Sequence, residues 1–256
     1  MKTSLQDLAP IDLGVLECLD FITGRAKQCA KSALVHLEKA ERIGTVDPEM
    51  AIFRVFTAEE EAATSVFFAV KQRGYQNAGR LKHRNHTHKQ ALFPFLMAIK
   101  NHIAGTTPPP PPTRLLVKTE GSERRLTINL QIPDGMWVEP QPPLHFSIVG
   151  IADGRRARFG ADMEKLAQSA GQSDVQEYLE TCANLRNQLL YASEAGVPEV
   201  RGGVEDTLVK GRSRVLVLLK AVCLIYPYKE HSLFVQQALD AFLVTLGSVR
   251  EEELAW

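Results

Sequence analysis

Residues 107–113 read TPPPPPT, and five consecutive prolines can be neither helix nor central strand. Each ring fixes φ and removes a backbone donor, so the run forms a stiff segment of polyproline II type. It divides the chain, because elements before it must close by residue 106 and elements after it must start afresh. The run reads as a rigid spacer, with a docking segment for a proline-binding partner as the alternative.

Three helical patterns fill the part before the prolines. The first runs from about Gly24 to Ile43, with Ala30, Ala33, Leu34 and Leu37 on one face. The second starts at Asp47-Pro48, a capping residue followed by a residue suited to the first helical position, and stops at Gly74. The third is expected from about Asn77 to Ile103, with Pro94 kinking or breaking it partway and Gly105 ending it. After the prolines the period becomes two. RLLVKTEGSERRLTINLQI reads as two strands joined at Glu120-Gly121-Ser122, and LHFSIVGI, near residues 144–151, as a third. Helical patterns return from about Asp162 and continue to a last helix over about Lys229 to Leu246. ADGRRARFGAD, between these regions, reads as an exposed turn. The fold class is mainly α, an antiparallel helical bundle with a small β-hairpin insertion. Its parts are residues 1–106, the first part of the bundle; 107–153, the spacer and β insertion; and 154–256, the rest of the bundle.

Thirty basic and 30 acidic residues give a formal net charge of zero, so no global basic field gathers nucleic acid or a membrane surface. Cys18, Cys29, Cys182 and Cys223 are scattered without ligand spacing, which suits reduced thiols and a cytoplasmic location. The first residues are too polar for a secretory segment, and no apolar stretch is long enough to span a bilayer, so no membrane partner is expected.

The informative residues are polar ones on apolar faces. At about 100° per residue, Ile52, Phe56, Ala63, Val66 and Val70 share one stripe, with Glu59 inside it, Glu60 at its edge and Glu61 turned away. On the third helix Asn85 and His88 fall in the stripe of Leu81, Leu92, Phe95, Leu96 and Ile99. On a later helix Arg186 falls in the stripe of Val175, Leu179, Cys182 and Leu189. A buried charge is costly unless paired, so Arg186 is expected to meet Glu59, with His88 and Asn85 alongside. Such a set is either a polar network fixing helix register or a functional site in which His88 moves protons. Arg80, Lys82, His83, Arg84, His86 and Lys89 form a basic face, solvated or in contact with phosphates. His86 and His88 point in different directions on a regular helix, so no metal and no cofactor are assigned. There is no G-x-S-x-G elbow, Walker loop or G-x-G-x-x-G.

ALVHLEKAERI, MAIFRVFTAEEEAATSVFFAV and HRNHTHKQALFPFLMAI together resemble the start of AbiV-type abortive-infection proteins of the HEPN superfamily. Glu59, Glu60 and Glu61 match that family's acidic element and His88-Lys89 its later element, while the family's usual lysine is Thr64 here. ANLRNQLLYASEAGVPEV resembles the family's Leu-Arg-x-x-x-Leu-Tyr element through Leu185, Arg186, Leu190, Tyr191 and Pro198. Arg186-Asn187 also resembles the start of the HEPN motif, whose histidine is Tyr191 in this chain. The resemblance spans roughly residues 25–104 and 172–226. It implies a HEPN-like bundle in antiphage defence, as a metal-independent ribonuclease toxin or as a non-catalytic sensor of a phage protein or nucleotide. The implied catalytic set is Arg186, Asn187, Tyr191, His88, Glu59 and Glu60, with Arg80, Lys82, Arg84 and Lys89 contacting RNA. The implied partners are RNA, a phage or regulatory protein, and a second copy of the chain. The apolar last helix, with Leu233, Phe234, Ala238, Phe242 and Leu243, is either the dimer contact or ordinary core.

Overall fold

A computed structural model describes residues 8–150, 154–188 and 204–254, with the side chains of residues 185–187 outside the description. In chain order the elements are α1 (Pro10–Cys18), α2 (Gly24–Ile43), α3 (Pro48–Gln72), α4 (His86–Ala104), β1 (Thr113–Glu120), β2 (Glu123–Gln131), β3 (Trp137–Val138), α5 (Gly160–Ser169), α6 (Val175–Gln188), α7 (Glu205–Ile225) and α8 (Leu233–Thr245). The described protein is thus mainly helical, with a three-stranded antiparallel sheet in the order β1-β2-β3. None of the described helices is long and apolar enough to cross a membrane.

Local chemistry sets the helix ends. The Asp47 carboxylate accepts from the Met50 amide at 3.0 Å, Pro48 opens α3, and Gly74 leaves it at φ +74°. The expected start of the third helix at Asn77 is wrong. Asn77 sits at φ +61°, which no α-helix can include, and a single 3-10 turn at Ala78–Arg80 follows. Asn85 then caps α4, its side-chain oxygen accepting from the His88 amide at 3.1 Å. Asn85 is therefore an exposed cap and not a core-facing residue. α4 continues through Pro94, which cannot donate to the carbonyl of Gln90.

β1 and β2 pair from Thr113↔Leu130 to Glu120↔Glu123, with Gly121 at φ +63° in the turn. Among the described residues the strand expected near residues 144–151 is reduced to an isolated antiparallel bridge, Val149↔Arg156. Leu144 lies at φ +67°, and the Gln237 side chain takes up backbone groups of Ile148. It accepts from the Ile148 amide at 3.0 Å and donates to the carbonyls of Ile148 and Ala157 at 2.8 and 2.9 Å. The third strand is the two-residue β3. Nor is ADGRRARFGAD wholly an exposed turn, since Phe159 is buried and the buried Asp162 carboxylate lies 2.8 Å from His102 Nδ1.

The sheet shares the helical core. Leu126 and Ile128 are buried with Val15 of α1 and Leu218 of α7, and the Tyr228 hydroxyl donates to the Leu126 carbonyl at 2.8 Å. Around Phe242, the rings of Phe67 and Phe95 lie 6.3 and 5.0 Å away. Phe242 and Leu243 are therefore core, while Leu233 at the start of α8 is exposed.

α3 and α7 meet at Gly211. A β-carbon there would lie 2.1 Å from Val55 Cγ1 and 3.5 Å from Glu59 Oε1. Valine is stiff at χ1 and cannot swing away cheaply. Gly211→Ala should therefore destabilise by about 1–2 kcal/mol, overpacking outweighing the helix-propensity gain of about 1 kcal/mol. Val55→Ala should suppress part of that loss in the double variant, measured by denaturant unfolding. A Gly211→Ala protein as stable as the wild type would mean that the helices are not in contact there.

Candidate functional site

Glu59 and Glu60 are consecutive on α3, yet they face different partners. Both are buried, with 6% and 4% of their surface exposed. Glu60 is fully served. Lys89 Nζ donates to its Oε2 at 2.6 Å, His86 Nδ1 lies 2.8 Å from its Oε1, and Gln90 Nε2 donates at 3.4 Å. Burial pushes its carboxyl up, but the Lys89 and His86 hydrogen bonds outweigh that and hold it below the ordinary value. The Thr64 hydroxyl donates to the Glu60 carbonyl at 2.7 Å, a backbone contact within α3.

Glu59 is poorly served. Among the described residues its donor is Arg214 of α7, whose Nη1 is 3.4 Å from Oε1 and 3.5 Å from Oε2. Charge-assisted bonds are normally about 2.7–2.9 Å. Burial dominates, and the carboxyl is pushed up to about 7 despite the guanidinium. The close approach at Gly211 explains the pairing, since Arg214 follows it by almost one turn. Glu59, Gln90 and Arg214 line a cleft of about 230 Å³ with Phe56, Phe93, Pro94, Met97 and Leu166. Tyr178 and Cys182 of α6 complete it. Burial pushes the Tyr178 hydroxyl up to about 12 and also raises the Cys182 thiol. Both stay protonated at neutral pH, so neither is an activated nucleophile.

His88 is buried, as its place beside Leu92, Phe95 and Ile99 implies, but it does not join Glu59. Its Nδ1 accepts from the Lys82 amide at 3.2 Å. Burial first, then the Lys82 and Lys71 ammonium groups, lower its pKa. It lines a second, polar cleft of about 590 Å³ with Arg80, Lys82, Asn85, Thr87, Gln176 and the turn at Gly247-Ser248. Arg80 is 3.8 Å from Glu253 across exposed surface, a pair of little energetic weight.

The sequence-derived set is therefore divided. Glu59 and Glu60 lie side by side, and among the described residues the guanidinium at Glu59 belongs to Arg214. Arg186 and Asn187 lie on the last turn of α6, one turn and more beyond Cys182, and their side chains are outside the described residues, as is Tyr191. Arg80 and Lys82 line the polar cleft and Arg84 is exposed beside it, whereas Lys89 turns inward to Glu60 and has left the solvated face. Among the described residues no group of three or more His, Cys, Asp or Glu could hold a metal ion. Sequence reasoning missed Arg214. The one signal for it was Gly211, a small residue inside an otherwise continuous helical pattern. No protein-family model, curated protein or solved structure matches the chain.

Proposed function

We propose that this chain is a HEPN-like bundle protein of antiphage defence that binds the phosphate backbone of RNA in the polar cleft, and that it acts by holding RNA and not by cutting it. The observation that carries this reading is the hydrogen bond from the Lys82 amide to His88 Nδ1. An amide N–H can only donate, so Nδ1 must stay unprotonated and Nε2 carries the ring hydrogen. Nε2 can then donate to a phosphate oxygen but cannot accept a proton from a 2′-hydroxyl. Protonating Nδ1 would set two N–H groups against each other. Arg80 and Lys82 supply the cations for phosphate, and Gln176 adds a neutral polar group. The AbiV-like motifs, and Tyr191 where the HEPN motif has histidine, support the defence role and the non-catalytic form.

RNA binding should be seen in a filter-binding assay at low salt and should weaken as salt rises. Lys82→Ala should weaken binding to all sequences alike and lower the salt slope by about one. RNA affinity unchanged by both Lys82→Ala and Arg80→Ala would remove the cleft from RNA binding. The competing ribonuclease reading predicts cleavage of total RNA without added metal, leaving a 2′,3′-cyclic phosphate. Such cleavage, lost in His88→Ala or Tyr191→Phe, would replace the binding reading.

A further inference from the structure

We infer that the cleft between α3, α4, α6 and α7 is a binding site for a guanine base, distinct from the polar cleft of Arg80 and Lys82 and not resting on RNA binding there. The starting point is a mismatch between burial and hydrogen bonding. A carboxylate this deeply buried normally collects two or more short donors, as its neighbour Glu60 does. Glu59 has one guanidinium nitrogen at the limit of hydrogen-bond distance, among the described residues. It also borders open space, since the cleft of about 230 Å³ is lined by it. A carboxylate at a cleft wall can accept from a ligand with two adjacent N–H donors.

The rest of the lining narrows the ligand. Phe56, Phe93, Pro94, Met97 and Leu166 make the walls apolar, which suits a flat ring. The volume suits a single nucleobase and excludes a second ring system of the same size. A cationic donor such as an amidine would meet the Arg214 guanidinium, which already lies against Glu59 and 5.3 Å from the Phe93 ring centroid. The ligand is therefore neutral. Among nucleobases, guanine carries two adjacent donors on one edge, N1–H and N2–H, in the spacing a carboxylate accepts. Adenine presents an acceptor where N1–H would be needed. Arg214 is 39% exposed and keeps further N–H groups for an acceptor such as the guanine carbonyl or a phosphate at the mouth. The high-lying carboxyl of Glu59 adds a pH signature, since only its ionised form accepts both donors, so binding should weaken as pH falls below about 7.

Calorimetric titration of the full chain with guanosine, inosine and adenosine at pH 8 tests this without any variant. Guanosine should bind, inosine, which lacks the N2 amino group, should bind at least about tenfold more weakly, and adenosine should not bind measurably. Glu59→Gln should lose at least about tenfold for guanosine while remaining folded by circular dichroism. GMP and a short guanine-containing RNA distinguish the source of the base. A tighter GMP assigns the site to a free nucleotide, a tighter oligonucleotide assigns it to RNA, and both support a guanine pocket. Equal affinity for guanosine and adenosine, no binding of either, or an undiminished Glu59→Gln would overturn it. Adenine-only RNA binding that depends on Lys82 would survive that outcome, so the two readings fail separately.

Discussion

Lys89→Met is expected to destabilise the protein by about 3–5 kcal/mol at neutral pH, because it removes the short ammonium partner of a buried carboxylate while keeping the apolar stem. Only 10% of the Lys89 side chain is exposed, so water cannot take its place beside Glu60. His86 remains, but its side chain is about half exposed and is a weaker counter-charge. The sign of the pH dependence follows from the wild-type shift. Glu60 is held below its ordinary value, so its stabilisation is present above the unfolded carboxylate pKa of about 4.3 and is lost as pH falls through the folded pKa. In Lys89→Met burial acts with less opposition and raises the folded pKa, so acidification relieves the penalty. The gap between wild type and variant should therefore narrow from pH 7.5 to pH 4.5 in urea unfolding. Adding Glu60→Gln to Lys89→Met should recover most of the loss at pH 7.5. A gap of the same size at both pH values would mean that the pair is not ionic. No gap at pH 7.5 would place Lys89 in solvent.

The same pair marks how far the site could be read from the chain alone. Helical period placed Glu59 inside a stripe and Glu60 at its edge, and both are buried. It placed His88 beside Leu92, Phe95 and Ile99, and His88 is buried, because those four residues fall within one uninterrupted helix. Asn85 failed by the same logic, since the helix begins after it and angular position has no meaning before the cap. Partners were not legible. Which cation reaches Glu59 depends on which helices touch, and Gly211 settles that through a backbone approach that no period encodes. Lys89 reads as one of several cations in a basic run, and only the packing of α4 on α3 turns it inward. α1 was missed because nine residues opening on proline and containing Gly14 carry too few turns to show a stripe. The third strand was misplaced because the apolar segment pairs only briefly, Val149 with Arg156, while the Gln237 side chain, 89 residues from Ile148, occupies the Ile148 amide.

Glu59→Gln is expected to act in the opposite sense and to stabilise the protein above pH 7. Its folded pKa of about 7 lies above the unfolded value of about 4.3, so the folded state holds a proton that the unfolded state releases between those limits. Relative to the unfolded chain, that group is no burden at pH 4; the penalty builds as pH rises between those two values and is complete above the folded pKa. A shift of this size corresponds to a penalty of up to about 3 kcal/mol at pH 8. Glutamine has nearly the same shape and carries no charge, so the variant should show that gain at pH 8 and little difference at pH 4. Arg214 loses its counter-charge in the variant, but it is partly exposed and water can solvate it, which limits the offset. Thermal unfolding of wild type and variant across pH 4–8 would read the difference directly. Curves that stay parallel would mean that Glu59 titrates as an ordinary carboxylate, and a loss of stability at pH 8 would mean that the Arg214 pair outweighs burial. The expected divergence has a functional meaning. A carboxylate retained at a cost in stability, beside one that contributes stability, favours a ligand site over a register-fixing network.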